Sequence, residues 1–349
     1  MNNLFNTIKE SLEVTDKKVN FLVEFIEGII QAKTVNLNEI SKVMKLNIKK
    51  SSIYRKIQRF LLEDNISSTN IAKLIDSLLP KGKKILIIDR TEWKGVNMFY
   101  LGVLVDNVVI PIFWDNLDKE GSSNTKERKN IIEDYINVIG KDNIDILMAD
   151  REFIGSEWFK WLNKEKINFM IRVRSNINII IENKSKKKLK NIFRKYKYKE
   201  VRGYVLDEEF RVMGKKINKK ESLIIITNCT NRVLEEYSNR WSIENMFSCF
   251  KTRGFNMEST KLEDSKKLEK LFTILSLSYI WAIMVGKIYY KKDSKVRKDL
   301  NCRSKSIFKI GVERLIPAIT YKHYEPKEYE KYFSIFSPFN KAFKDFVVE

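Results

Sequence analysis

The sequence predicts an α/β fold flanked by helical regions. Three observations predict it: an amphipathic helical pattern over residues 1–78, a run of apolar strand-like segments alternating with helices over 79–173, and a long apolar helical segment near the C-terminal end. At 349 residues the chain has room for two or three domains and a sizeable core.

The N-terminal region, 1–78, opens with Phe21, Leu22, Phe25, Ile26, Ile29 and Ile30 at a helical period. Two short helices are expected next. One carries Leu37, Ile40, Val43 and Met44; the other carries Ile53, Tyr54, Ile57, Phe60 and Leu61, with Ser51 or Ser52 as its cap. Lys49, Lys50, Arg55 and Arg59 surround the exposed face of the second. The pattern fits a DNA-reading helix-turn-helix; the alternative is an ordinary amphipathic pair with a solvated basic face.

Leu79-Pro80-Lys81-Gly82 breaks the pattern and marks a boundary. Strands are expected at Lys84–Asp89, Met98–Asp106 and Val108–Trp114, then a helix at Lys126–Ile139, a strand at Ile144–Ala149, a helix at Ser156–Lys164 and a strand at Phe169–Val173. Three strands, a helix, a strand and a helix is the order of an RNase H-like core, with 79–173 as its first part. Residues 174–228, containing INIIIE, VRGYVLD, EFRVMG and SLIIITN between Lys-rich turns, read as a β-rich insertion. The core resumes over 229–290. Its apolar run Leu271–Gly286 is 16 residues, short of the about 20 a membrane span needs, and reads as a buried core helix. The remainder, 291–349, is basic and helical near Ser306–Leu315.

Lys+Arg total 66 against 45 Asp+Glu, a net charge of +21, which favours a polyanionic partner such as nucleic acid. Lys-, Asn- and Ile-rich usage contributes to that excess without explaining ordered motifs. A membrane surface fits poorly, since no basic amphipathic anchor is evident. The 3 Cys lie far apart and there is 1 His, which argues against a Cys/His zinc site and fits a reducing cytoplasm. The polar, acidic start does not read as a signal peptide. Lys184–Lys199 mixes Lys with Phe193, Tyr196 and Tyr198, either a phosphate-tracking surface or a solvated loop.

The chemistry centres on YSNRWSIENMFSCFK. On a helix, Tyr237, Arg240, Glu244 and Lys251 fall within an arc of roughly 60°, a carboxylate between two cations, while Ile243, Met246, Phe247 and Phe250 face a core. Asp89 ends the strand KILIID, and Asp150 follows IDILMA. Those strands are neighbours in an RNase H-like sheet, so the two carboxylates would lie side by side and favour a cation between them. With Glu244 they would offer three hard oxygen donors, which suits Mg²⁺ and phosphoryl transfer. Each acid alone reads more simply as a turn former, a cap or a solvated residue.

These residues resemble the signature of DDE transposases of the insertion sequence 4 family. Tyr237, Arg240, Glu244 and Lys251 fit its Y, two residues, R, three residues, E, six residues, K at every position. The family's first Asp ends the first core strand, as Asp89 does; its second opens a triplet like Asp150-Arg151-Glu152. The β-rich insertion before the Glu and the pattern KLEKLFTILSLSYIW followed by KSIFKIGVERL are also similar, so the resemblance covers roughly residues 80–320. It implies a bacterial cytoplasmic, nucleoid-associated enzyme in which Asp89, Asp150 and Glu244 bind two Mg²⁺ or Mn²⁺ ions. It implies cleavage at transposon terminal repeats and strand transfer into target DNA by a homodimer in a paired-end complex. Tyr237, Arg240 and Lys251 would contact DNA phosphates, and Arg151 would touch phosphate or neutralise the acids. Trp241 would hold a flipped base or pack beneath the site. An RNase H-like nuclease or resolvase, or an inactive DNA-binding regulator, fits less of the pattern.

Overall fold

The computed structural model describes residues 8–9, 12, 15–63, 66–182, 186–218, 221–297 and 302–335. The chain is a mixed α/β protein with one large mixed sheet and many helices. It divides into two compact units, one of residues 82–92 and 97–243, the other of 1–81, 93–96 and 244–349.

The sheet is built from β1 (Lys84–Trp93), β2 (Val96–Val105), β3 (Val108–Asn116), β4 (Ile144–Ala149), β5 (Phe169–Arg172) and, after the two-residue strands β6 (Asn178–Ile179) and β7 (Lys187–Lys188), β8 (Lys199–Val205), β9 (Glu208–Lys216) and β10 (Ser222–Thr227). Eight of these form one sheet in the order β3-β2-β1-β4-β5-β10-β9-β8. The pairs β1–β4 and β4–β5 are parallel; β2–β3, β5–β10, β10–β9 and β9–β8 are antiparallel. The central strands read as near-continuous apolar runs because both their faces are covered, as parallel strands require.

In this unit α5 (Thr125–Ile139) packs on β3, with Tyr135 edge-on to Phe113 at 6.5 Å between ring centroids. Its start is fixed by a capping box: Asn124 accepts from the Glu127 amide at 2.9 Å, and Glu127 accepts from the Asn124 amide at 2.7 Å. Helix α6 (Ser156–Lys164) places Phe159 against Phe169 and Phe210, at 5.5 and 5.4 Å.

The segment 174–228 departs from its sequence pattern in one respect. INIIIE forms only the two-residue strand β6 and a bridge from Ile180 to Tyr204. Strands β8 to β10 instead extend the main sheet, through β10 alongside β5. Of the Lys184–Lys199 patch, 184 and 185 lie outside the described residues, and Leu189–Phe193 forms the short helix α7.

The other unit is helical: α1 (Asp16–Ala32), α2 (Leu37–Val43), α3 (Lys50–Phe60), α4 (Ser68–Leu78), then α9 (Ser265–Asp293), α10 (Ile307–Thr320) and α11 (Pro326–Ser334). Phe21 and Phe25 of α1 meet Phe60 of α3 at 5.0 and 6.4 Å. The cap expected at Ser51 or Ser52 is not used. Helix α3 begins at Lys50 after Lys49, with no side-chain cap, because both serines already lie within its first turn. Every residue of α9 from Ile274 to Lys287 is buried. Among the described residues it is the one helix long and apolar enough to cross a membrane, and 89% of its most apolar window is buried inside the protein. Glycines let α9 and α10 approach closely: a Cβ at Gly311 would stand 1.7 Å from the Ala282 carbonyl oxygen, and one at Gly286 would stand 1.9 Å from that of Ile307. Of the C-terminal region, residues 336–349 lie outside the described residues.

Candidate active site

Two acids come together in the sheet unit. Strands β1 and β4 pair in parallel with Ile88 opposite Ala149, so Asp89 and Asp150 occupy equivalent positions one residue further along. Asp150 follows the last residue of β4, but β1 runs on to Trp93, so Asp89 lies within its strand instead of ending it as expected; the parallel pairing still sets the two acids side by side. Asp89 is pushed up to about 7, first by burial, then by the negative charge of Asp150, with the Arg240 guanidinium acting against the rise. A buried carboxylate beside another is the arrangement a divalent cation relieves.

Local backbone hydrogen bonds hold both acids. Asp89 Oδ1 accepts from the Arg90 amide at 2.9 Å, and Asp150 Oδ1 accepts from the Glu152 amide at 2.7 Å. Arg90, in β1, reaches the turn after β4 by donating Nε to Glu152 Oε1 at 2.8 Å. Burial raises Glu152 as an acid while Arg90 counteracts it.

The signature segment is two helices end to end, which corrects the expectation of one. Leu234–Trp241 is a 3-10 helix and α8 is Ser242–Phe250; Lys251 lies in the following turn. In a 3-10 helix residues three apart eclipse, so Tyr237 and Arg240 share a face more strictly than on an α-helix. Both are buried. The Tyr237 hydroxyl donates to the Ala149 carbonyl at 2.9 Å, tying the signature to the end of β4. Burial raises its phenol above the ordinary range. Arg240 Nη1 lies 3.0 Å from Asp89 Oδ2. Tyr237 is therefore a strut, its one donor spent on the backbone, and Arg240 is the counter-charge of Asp89.

Trp241 is 55% exposed, which argues against its packing beneath the site, and the Arg240 guanidinium lies 5.4 Å from its ring centroid. Arg151 is exposed. The apolar stripe of Ile243, Met246, Phe247 and Phe250 is buried as its spacing predicts. Glu244, exposed in the first turn of α8, and Lys251 both fall in the helical unit. There Lys251 Nζ pairs with Glu258 at 3.2 Å. Burial pushes the Cys249 thiol up to about 12, which fits a packing role.

The donor chemistry of Asp89 and Asp150 fits a hard divalent cation, since both offer carboxylate oxygens and ionised Asp89 is disfavoured first by burial and further by Asp150's charge. Among the described residues no group of three or more His, Cys, Asp or Glu lies close enough to hold a metal ion. The described structure therefore contributes two donors side by side.

Sequence reasoning did not single out Arg90 or Arg128. Arg90 was findable as the residue directly after Asp89. Arg128 was findable as a cation at a core position, in register with Ile131, Ile132 and Tyr135.

With strand order and paired acids established, the chain matches the family model described as transposase DDE domain over residues 80–281, more than half its length. The chain belongs to that family. It is thus a transposase in the general sense, of a class that acts on DNA and in general depends on a divalent metal. No curated protein matches it.

Proposed function

We propose that the chain is a cut-and-paste transposase of the insertion sequence 4 family with an RNase H-like core. In this reading it cleaves DNA at transposon terminal repeats and joins the freed 3′-hydroxyl to target DNA. The observation that carries it is the side-by-side placement of Asp89, within β1, and Asp150, just past the end of β4, with Asp89 raised as an acid first by burial and further by Asp150. The spacing of Tyr237, Arg240, Glu244 and Lys251 supports it.

Asp89, Asp150 and Glu244 would hold two Mg²⁺ ions, or Mn²⁺ in their place. Bound there, the metal supplies activation of the attacking oxygen and neutralisation of the leaving oxygen in an in-line displacement at phosphorus. The chain's own residues position and neutralise. Asp89 within β1 and Asp150 just past β4 hold their oxygens on paired strands, Tyr237 braces β4, and Arg240 balances Asp89 until a cation or phosphate enters. Arg151 and Lys251 supply positive charge for backbone phosphates. Trp241 offers an open aromatic face for a base turned out of the stack, worth about 1–3 kcal/mol per base.

In the same reading, 1–78 binds the terminal repeat through α2 and α3, whose Lys49, Lys50, Arg55 and Arg59 are exposed. The strands of 174–228 form the insertion, 229–290 completes the core, and 291–349 is the basic C-terminal region. Two ends must be joined, so the working form is a homodimer in a paired-end complex, in the bacterial cytoplasm at the nucleoid.

The test is cleavage of labelled DNA carrying the element's terminal repeat, with Mg²⁺ or EDTA, comparing wild type with Glu244→Gln. Metal-dependent nicking at the repeat boundary, lost in the variant while DNA binding persists, is expected. A Glu244→Gln protein that cuts like wild type overturns the assignment.

A further inference from the structure

We infer that Arg128 is a positioning residue for the active site, acting on Asp150 through the turn that follows β4. The inference rests on the proposed role of Asp150.

Arg128 lies in the second turn of α5, 5% exposed, at a position where the helix pattern calls for an apolar side chain. Burying a guanidinium is costly unless its donors are satisfied. Here the donors converge on two chain segments. On its own side, Nε donates to Ser123 Oγ at 3.0 Å and Nη2 donates to the Ser123 carbonyl. Across the gap, Nη2 also donates to the Glu152 carbonyl at 3.1 Å, and Nη1 to the Ile154 carbonyl at 3.3 Å. Between those two carbonyls, the Phe153 ring lies 5.3 Å from the guanidinium carbon and stacks on Phe99 of β2 at 5.8 Å.

Within the turn the Asp150 carbonyl accepts from the Phe153 amide at 3.2 Å, while the Glu152 and Ile154 carbonyls take guanidinium donors, and a buried carbonyl needs a partner. A planar guanidinium reaches several acceptors in a fixed plane, whereas an ammonium is a point charge without that geometry. Residue 152 links the clamp to the chemistry. Its carbonyl is held by Arg128, its amide donates to Asp150 Oδ1 at 2.7 Å, and its carboxylate takes the Arg90 Nε at 2.8 Å. Fixing its backbone sets the rotamer of Asp150. The capping box at Asn124 and Glu127 in turn fixes where Arg128 begins.

The experiment compares wild type, Arg128→Lys and Arg128→Met by hydrogen–deuterium exchange of the metal-free protein and by repeat-end cleavage. The Lys variant keeps the charge and guards against a Met variant that does not fold. Exchange in the 150–155 peptide is expected to rise at least about tenfold in Arg128→Lys, while peptides from β1 and β2 keep their protection. Cleavage by the folded protein is expected to fall about 100-fold with DNA affinity unchanged, the scale of a misplacement near 1 Å. Unchanged exchange at 150–155 overturns the inference, as does a loosened turn with an unchanged cleavage rate. If wild type itself does not cut, the transposase reading fails, and the exchange arm alone decides whether Arg128 sets the turn.

Discussion

Asp89 should make the metal-free protein less stable as pH rises. Its carboxyl ionises at about 7 in the folded protein against 3.8 as a free side chain. Below about pH 4 it is protonated in both states and carries no penalty. Between there and pH 7 the unfolded chain gives up the proton and the folded chain keeps it, so stability falls; above about 7 the loss is complete. Such a shift amounts to roughly 4 kcal/mol. Asp89→Asn preserves shape and removes the titration. The counter-charge of Arg240 already acts against the rise, so the neutral variant compares directly with the protonated wild type. In EDTA, Asp89→Asn and wild type should melt together near pH 4. At pH 8 the variant should melt about 10 °C higher, at roughly 2–4 °C per kcal/mol. Thermal unfolding across that pH range measures it. A wild type and variant whose midpoints move in parallel from pH 4 to pH 8 would refute the burial argument.

Two further outcomes concern the helical unit. Lys322 Nζ lies 2.7 Å from Glu24 and 2.6 Å from Glu27, and Glu27 is 2% exposed and raised as an acid by burial. Lys322→Met should cost about 3–5 kcal/mol in urea unfolding at neutral pH, the penalty for a buried charge without its partner; adding Glu27→Gln should recover part of it, and an unchanged midpoint would show the pair to be idle. Gly311→Ala puts a methyl 1.7 Å from the Ala282 carbonyl oxygen, so α9 and α10 must separate, at about 1–3 kcal/mol or more, read as a lower melting temperature.

What was legible in the sequence followed from local pattern. KILIID and IDILMA announced themselves because strands buried on both faces lack alternation. The stripe Ile243, Met246, Phe247 and Phe250 was readable because helical spacing fixes a face. What was not legible depended on contacts distant in sequence. Nothing in SLIIIT says that β10 returns to pair with β5, because β-pairing partners are set by tertiary packing. The cap at Ser51 failed because several residue types can open a helix, and the chain enters this one two residues earlier, with Lys49 at the cap position. Arg128 was hidden by a habit of reading cations on helices as solvated, although its register with Ile131 and Tyr135 placed it inside.

The 3-10 segment changes how the signature works. A spacing of three between Tyr237 and Arg240 returns the chain to the same face when there are three residues per turn. Glu244 follows four residues after Arg240, in the first turn of α8. The roles divide at the same point. Tyr237 and Arg240 lie in the sheet unit, buried, one donating to the Ala149 carbonyl and the other paired with Asp89. Glu244 and Lys251 lie in the other unit and are more open. A pair of struts beside the aspartates cannot be exchanged for residues that merely carry the same charge. Lysine at 240 would keep the cation, but its point charge lacks the planar array of donors that a guanidinium offers to a carboxylate and to an incoming phosphate. Arginine at this position thus already has a partner within the protein, its Nη1 lying 3.0 Å from Asp89 Oδ2.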